Sequence, residues 1–202
     1  MSTPSSDIAF TPTIKAIQAE RGSRQNYARM EERGGFRTGL TEDLAQFLSS
    51  VDTAYLATAN AAGQPYAQHR GGPKGFIRIV GPKTLAFADY KGNRQYVTTG
   101  NLAENDKAFL FLMDYAHRRR VKLWGRARIS HDAEVLAQLM PRDYEAKPEQ
   151  VILFDVEAWD INCPQHIPQK IDAEDVERVL AELQARIAAL EEENMALRAR
   201  HS

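Results

Sequence analysis

The chain has 202 residues, 43% of them hydrophobic and 26% charged, with a formal net charge of −1. That is the make-up of a globular protein with one good core and appendages, and its near-neutral balance supplies no global field toward nucleic acid or a membrane surface. The single cysteine, Cys163, excludes an internal disulfide framework and a four-cysteine zinc site. The N-terminal MSTPSSDIAF lacks the basic flank and apolar run of a signal peptide, and no stretch is apolar enough to span a bilayer, so the expectation is a cytoplasmic protein.

Residues 1–10 are polar and expected to fray. Pro12 to Arg33 reads as helix, with Gly22 splitting it in two and Gly34-Gly35 ending it. Thr41 offers an N-cap to a short helix whose apolar face is Leu44, Phe47 and Leu48, with Glu42 and Asp43 in its first turn. Strands follow at Ala54–Ala59, Gln64–Gln68, Phe76–Val80 and Thr84–Asp89. Val97 to Asn105 is either irregular or a short helix. Ala108–Met113 is a continuous apolar run that suits a strand buried on both faces. Arg120–Ile129 alternates, with Val121, Leu123 and Ile129 on one face. A helix over Ala133–Met140 and a last strand over Gln150–Trp159 complete the region. Six or seven strands joined mainly by tight turns point to a closed or nearly closed antiparallel barrel, which hides its edges.

From Asp172 onward the apolar residues step by four and three: Val176, Leu180, Leu183, Ile187, Leu190, Asn194 and Leu197. Val176, Leu183, Leu190 and Leu197 are d positions; Leu180, Ile187 and Asn194 are a positions. A lone Asn at a among leucines at d is a parallel two-stranded pattern, and Arg186–Glu191 and Glu193–Arg198 are g–e′ pairs that agree with it. The competing reading is an amphipathic helix lying on its own barrel. The acidic run before the heptads, Asp172 to Glu177, excludes a basic-zipper DNA reader.

Two glycine-bearing loops carry the chemistry: Gln68-His69-Arg70-Gly71-Gly72-Pro73-Lys74-Gly75 and Asp89-Tyr90-Lys91-Gly92-Asn93-Arg94-Gln95. A phosphate monoester needs backbone N–H groups, short donors and one or two fixed cations. Asn93 and Arg94 supply an amide and a guanidinium, and Arg70 and Lys74 a second cation. Taken alone, Lys91-Gly92-Asn93 is as readily an ordinary hairpin turn. Neither loop matches G-x-x-x-x-G-K-[ST] or G-x-G-x-x-G. Cys163 and His166 have C-x-x-H spacing, and with His69 raise a metal site; one cysteine with no second pair favours a structural role or a place at the edge of a bound ring, and no metal is expected. Arg118-Arg119-Arg120 reads as a solvated surface run or as ion pairing across a dimer.

The segments AYLATANAAGQPYAQHRGGPKGF, LAFADYKGNRQ, GNLAENDKAFLFLMDY, VKLWGRARI and AWDINCPQHIP resemble the pyridoxamine 5′-phosphate oxidase-like proteins, in their flavin-nucleotide-binding branch. The resemblance covers roughly residues 10 to 170. It implies a mainly β fold, a six-stranded antiparallel split β-barrel with peripheral helices, to which the heptads add a C-terminal coiled-coil helix. It also implies a homodimer through the barrel with one FMN in each interface cleft. On this resemblance Asn93, Arg94 and Gln95 follow Asp89 on the phosphate segment, where the oxidases have Ser, Arg and Lys. Gln95 thus removes one cation, and Arg70 or Lys74 would take its share. Gln68, His69, Arg70 and Gly71 would run beside the ring and ribityl chain, and Trp124, Arg126 and the Trp159–Gln165 stretch would approach across the dimer. The oxidases' C-terminal Arg- and Trp-containing pattern is missing. Asn162-Cys163-Pro164-Gln165-His166 stands in its place, so the resemblance does not extend to vitamin B6 oxidation.

The expected organisation is a helical segment over 1–50, the FMN-binding barrel over 51–170 and the coiled-coil helix over 171–202. The expected activity is that of an FMN-dependent oxidoreductase acting on a small-molecule substrate, with no nucleic-acid or membrane partner and no evident catalytic base. Two alternatives stand beside it: a non-catalytic flavin sensor or carrier, and a barrel holding haem or a deazaflavin instead.

Overall fold

The structure, a computed structural model, describes residues 3–141, 143–162 and 164–200. It divides into two compact units, one of Met1–Asp114 with Arg119–Pro164 and one of Tyr115–Arg118 with Gln165–Ser202. The first holds an antiparallel sheet of β1 (Thr53–Ala59), β2 (Pro65–Gly71), β3 (Arg78–Ile79), β4 (Thr84–Tyr90), β5 (Lys107–Asp114), β6 (Arg119–Ser130) and β7 (Pro148–Asn162). The strand order is β2-β1-β5-β6-β7-β4-β3, so β2 and β3 lie at the ends of the ladder and the sheet stays open between them. Of the closed or nearly closed barrel expected, the main-chain ladder takes the form that is not closed. The architecture is a mainly β split barrel.

Strand alternation builds the core. Ala54 and Leu56 of β1, Leu110 and Leu112 of β5, Val121 and Leu123 of β6, Phe87 of β4 and Phe154 of β7 gather in one buried cluster. The short helix α3 (Glu42–Ser50) caps it with Leu44, Phe47 and Leu48, and Thr41 Oγ1 accepts from the Leu44 N–H at 3.4 Å as the N-cap. On the other face of β4, Ala86 and Ala88 pack with Val151 against helix α5 (Ala133–Leu139). β4 is thus buried on both sides.

Three readings change. Phe76 and Ile77 belong to no strand: the Phe76 N–H donates to the Pro73 carbonyl in a turn, both side chains enter the core, and pairing begins only at Arg78. β5 alternates instead of being buried on both faces, leaving Phe109 and Phe111 half covered on the outer side beside Trp124. The expected fraying does not hold at Ser5–Ile8. Ser5–Ile8 form a 3-10 turn whose Ser5 Oγ donates to the carbonyls of Gly34 (2.9 Å) and Phe36 (2.5 Å). The helices α1 (Pro12–Glu20) and α2 (Arg24–Glu32) then follow, separated where expected by Gly22 at φ +78°.

A bulge shapes each side of β7. Between β4 and β7 the register passes from Asp89↔Gln150 to Tyr90↔Pro148, leaving Glu149 unpaired in the ladder. Between β6 and β7 it passes from Trp124↔Ala158 to Gly125↔Val156, leaving Glu157. At that second bulge a Cβ on Gly125 would stand 2.1 Å from the Asp155 carbonyl oxygen, so no other residue fits there.

In the second unit, Lys170 lies 4.3 Å over the Tyr115 ring and Gln169 Nε2 donates to the Ala116 carbonyl at 3.0 Å. Its main element is the 28-residue helix α6 (Ala173–Arg200). Cys163 and His201 lie outside the described residues. No described helix is long and apolar enough to cross a membrane.

Candidate functional site

The ends of β2 and β4, the loop after β4 and the helix α4 (Val97–Glu104) surround a pocket. Pairing explains which side chains reach it. Gln68 and Arg70 of β2 sit opposite Leu56 and Ala54, on the inward side, whereas His69 pairs with Tyr55 on the outer side. On β4 the inward residues Leu85 and Phe87 are followed by Asp89.

Arg70 and Asp89 form an ion pair in which each side chain is only 11% exposed. Arg70 Nη2 also donates to Gln68 Oε1 at 2.9 Å and Thr98 Oγ1 at 3.0 Å. Gln150 Nε2 donates to Asp89 Oδ2 at 2.9 Å and Thr99 Oγ1 at 3.0 Å. These side chains join β2 to β4 where the main-chain ladder is open. Burial pushes the Arg70 pKa down and Asp89 opposes the shift, and an arginine remains charged regardless. Arg70, which lines the pocket, keeps a buried Nε–H with no hydrogen-bond partner.

The rim offers donors of a different kind. Gly92, Asn93, Arg94 and Gln95 line it, with Asn93 Oδ1 accepting from the Gln95 N–H at 3.2 Å. The left-handed backbone falls on Arg94 (φ 60°) and Tyr96 (φ 54°), and a Cβ at Gly92 would meet nothing within 4 Å. Tyr96 is the N-cap of α4 but supplies no side-chain cap to the first-turn N–H groups, and Thr98 and Thr99 of that turn line the pocket. Among the described residues Arg94 makes no hydrogen bond or ion pair. A guanidinium, an amide and an uncapped helix N-terminus at one rim are the donor set of an anion site. Opposite them Tyr96 Oη donates to Glu149 Oε1 at 2.7 Å, and this bond, more than burial, raises the Tyr96 pKa.

The pocket thus gathers Gln68, Arg70, Asp89, Asn93, Arg94 and Gln95. It does not gather His69, Gly71, Lys74, Trp124 or Arg126. His69 meets the edge of Tyr55 at 5.7 Å, and a Cβ on Gly71 would crowd His69 Cε1 at 2.9 Å. Lys74 belongs to the turn that follows β2. Trp124 stacks on Phe36 at 5.0 Å, and Arg126 pairs with Asp106 (2.6 Å) and Glu157 (2.8 Å). Arg70, which with Lys74 was expected to offer a second cation, is paired with Asp89 in the pocket wall, and the amino end of α4 borders the same pocket. Sequence reading missed Tyr96, Thr98, Thr99, Glu149 and Gln150. Only the hydroxyl pair Thr98-Thr99 at the start of the alternative short helix hinted at them.

The family described as pyridoxamine 5′-phosphate oxidase matches residues 40–163, more than half of the chain. The chain belongs to the pyridoxamine 5′-phosphate oxidase family. Every pocket-lining residue falls within the matched segment, whereas α1, α2 and α6 fall outside it. HupZ of Group A Streptococcus is similar in fold, with a TM-score of 0.50 at 19% identity over 65% of this chain and 99% of that one. An FMN-binding protein from Syntrophomonas wolfei gives 0.48 at 11% identity over 72% and 97%. A protein of the pyridoxinephosphate oxidase family from Clostridium acetobutylicum gives 0.44 at 15% identity over 65% and 92%. No curated protein matches the sequence.

Proposed function

We propose that this member of the pyridoxamine 5′-phosphate oxidase family binds FMN with its phosphate at the Asn93–Thr99 rim and acts as a flavin-dependent oxidoreductase on a small substrate. The carrying observation is the pairing of an unengaged Arg94 with the uncapped amino end of α4 at one pocket mouth. The orphaned Nε–H of Arg70 adds a donor within the same wall, suited to a polar ligand atom. The residues therefore fit a phosphate-bearing group. Bound FMN would supply hydride or single-electron chemistry; this chain's residues would hold and orient it. Asp89, Gln150 and Gln68 keep Arg70 in place, and Asn93, Arg94 and α4 would grip the phosphate. The outer face of β1, β5 and β6 carries Tyr55, Phe109, Phe111 and Trp124, which suits burial against a second barrel. That pairing would bring Trp124 and Arg126 toward a partner's flavin.

One observation favours a second reading. The long, exposed helix α6, with its apolar stripe, lies outside the family match, as an attached recruiting element on a non-catalytic flavin sensor or carrier would. Purified protein separates the readings. A yellow preparation that releases FMN, and whose flavin NAD(P)H reduces and a second acceptor reoxidises with turnover, supports the oxidoreductase. Bound flavin with no turnover supports the sensor, and a colourless protein that FMN cannot reconstitute overturns both.

A further inference from the structure

We propose that α6 is a parallel, in-register coiled coil with the α6 of a second copy of this chain. The inference stands apart from the flavin reading, since it rests on the helix alone.

The helix runs unbroken for 28 residues and buries none of them. Its heptad residues Val176, Leu180, Leu183, Ile187, Leu190 and Leu197 are 41% to 56% exposed. An apolar stripe of this length on an otherwise charged helix is stable only when another surface covers it. The choice of occupant comes from the residues around the stripe. Asn194 interrupts it at an a position, where a buried amide needs a polar partner. In a parallel, in-register pair Asn194 meets Asn194 of the other copy and each amide is satisfied. An antiparallel pair centred on the helix would set Asn194 against Val176, leaving the amide without one.

The flanking charges make the same choice. In parallel, Arg186 at g faces Glu191 at e, and Glu193 at g faces Arg198 at e, each occurring twice by symmetry. Antiparallel packing brings g against g and e against e, which would set Arg186 against Arg186 and Glu191 against Glu177. Both are like-charge contacts. Asp172 and Glu177 at the amino end are the one like-charge g–e pair of the parallel arrangement, and they lie at the helix start, where the dipole favours acidic residues. Leu at three of the four d positions and β-branched Ile187 at a favour two strands over three or four.

Cysteine crosslinking in the full chain, with Cys163→Ser as background, tests orientation and register together. Leu190→Cys at d places two thiols side by side only in the parallel, in-register pair; antiparallel packing would hold them about 15 Å apart along the axis. Glu192→Cys at f, on the outer face, reports mere proximity. The expected result is a covalent dimer from Leu190→Cys formed at least ~10-fold faster than from Glu192→Cys. Equal rates, or no crosslink from Leu190→Cys in protein that circular dichroism shows to be folded, would overturn the proposal. Asn194→Leu should loosen the choice of two strands, seen as trimers or larger species by sedimentation. An unchanged dimer there would remove Asn194 as its determinant.

Discussion

At the scale of single residues, the site is built from a contrast between two arginines. Arg70 is buried, paired and locked by Asp89, Gln68 and Thr98, while Arg94 stands exposed on a left-handed backbone with no hydrogen bond or ion pair among the described residues. The first is a strut and the second is available to a ligand. Removing one member of a buried pair leaves an uncompensated charge, which costs about 3–5 kcal/mol, whereas replacing both with apolar groups is often near neutral. Asp89→Ala should therefore lower unfolding stability by roughly 3 kcal/mol. Arg70→Met with Asp89→Leu should recover most of that loss. Chemical denaturation of the three proteins checks this, and a double variant as unstable as Asp89→Ala would show that the pair is not the unit that matters. Such pairing was not legible in the sequence. Arg70 and Asp89 are nineteen residues apart, and only the fold reveals that one neutralises the other.

At the scale of elements, an ion pair joins the N-terminal helices. Lys15 of α1 lies 3.3 Å from Glu31 of α2 and also pairs with Asp7 at 2.5 Å, while Glu31 accepts from Arg24 within α2. The hydrogen bond from Arg24 is the chief cause that holds the Glu31 carboxyl below its usual range. The unfolded chain therefore takes up this proton first as pH falls. The stabilisation is complete above the ordinary glutamate range, near pH ~4.3, and is lost as pH drops through the lowered folded-state value. Thermal melts across acid pH should show Glu31→Gln with a shallower loss of stability than the parent; parallel curves would remove Glu31 as the cause. Element placement was largely readable. Thr41 announced α3, Gly22 the break between α1 and α2, and alternation gave β6. What escaped was set by tertiary pairing: the Phe76 turn ends an apparent strand, and the bulge that turns Glu149 out of the ladder toward Tyr96 leaves no trace in local pattern. Half of the candidate pocket was visible as the Asn93-Arg94-Gln95 loop. The other half depends on a helix whose start the sequence left open.

At the scale of the whole molecule, a family barrel spanning 40–163 is joined to a helix that the family match does not include. If the barrel's outer aromatic face forms one interface and α6 another, deleting residues 172–202 should leave a dimer in sedimentation analysis, and a monomer would show that α6 alone holds the pair. The central claim of the proposed function is that FMN sits in the pocket by its phosphate. Titrating FMN into cofactor-stripped protein and following the quenching of flavin fluorescence tests it most directly. The account predicts saturable binding of one FMN per chain, weakened at least ~10-fold by Arg94→Ala, a loss of about 1.4 kcal/mol, and left unchanged by Arg118→Ala. No saturable binding, or equal weakening by the two substitutions, would contradict it.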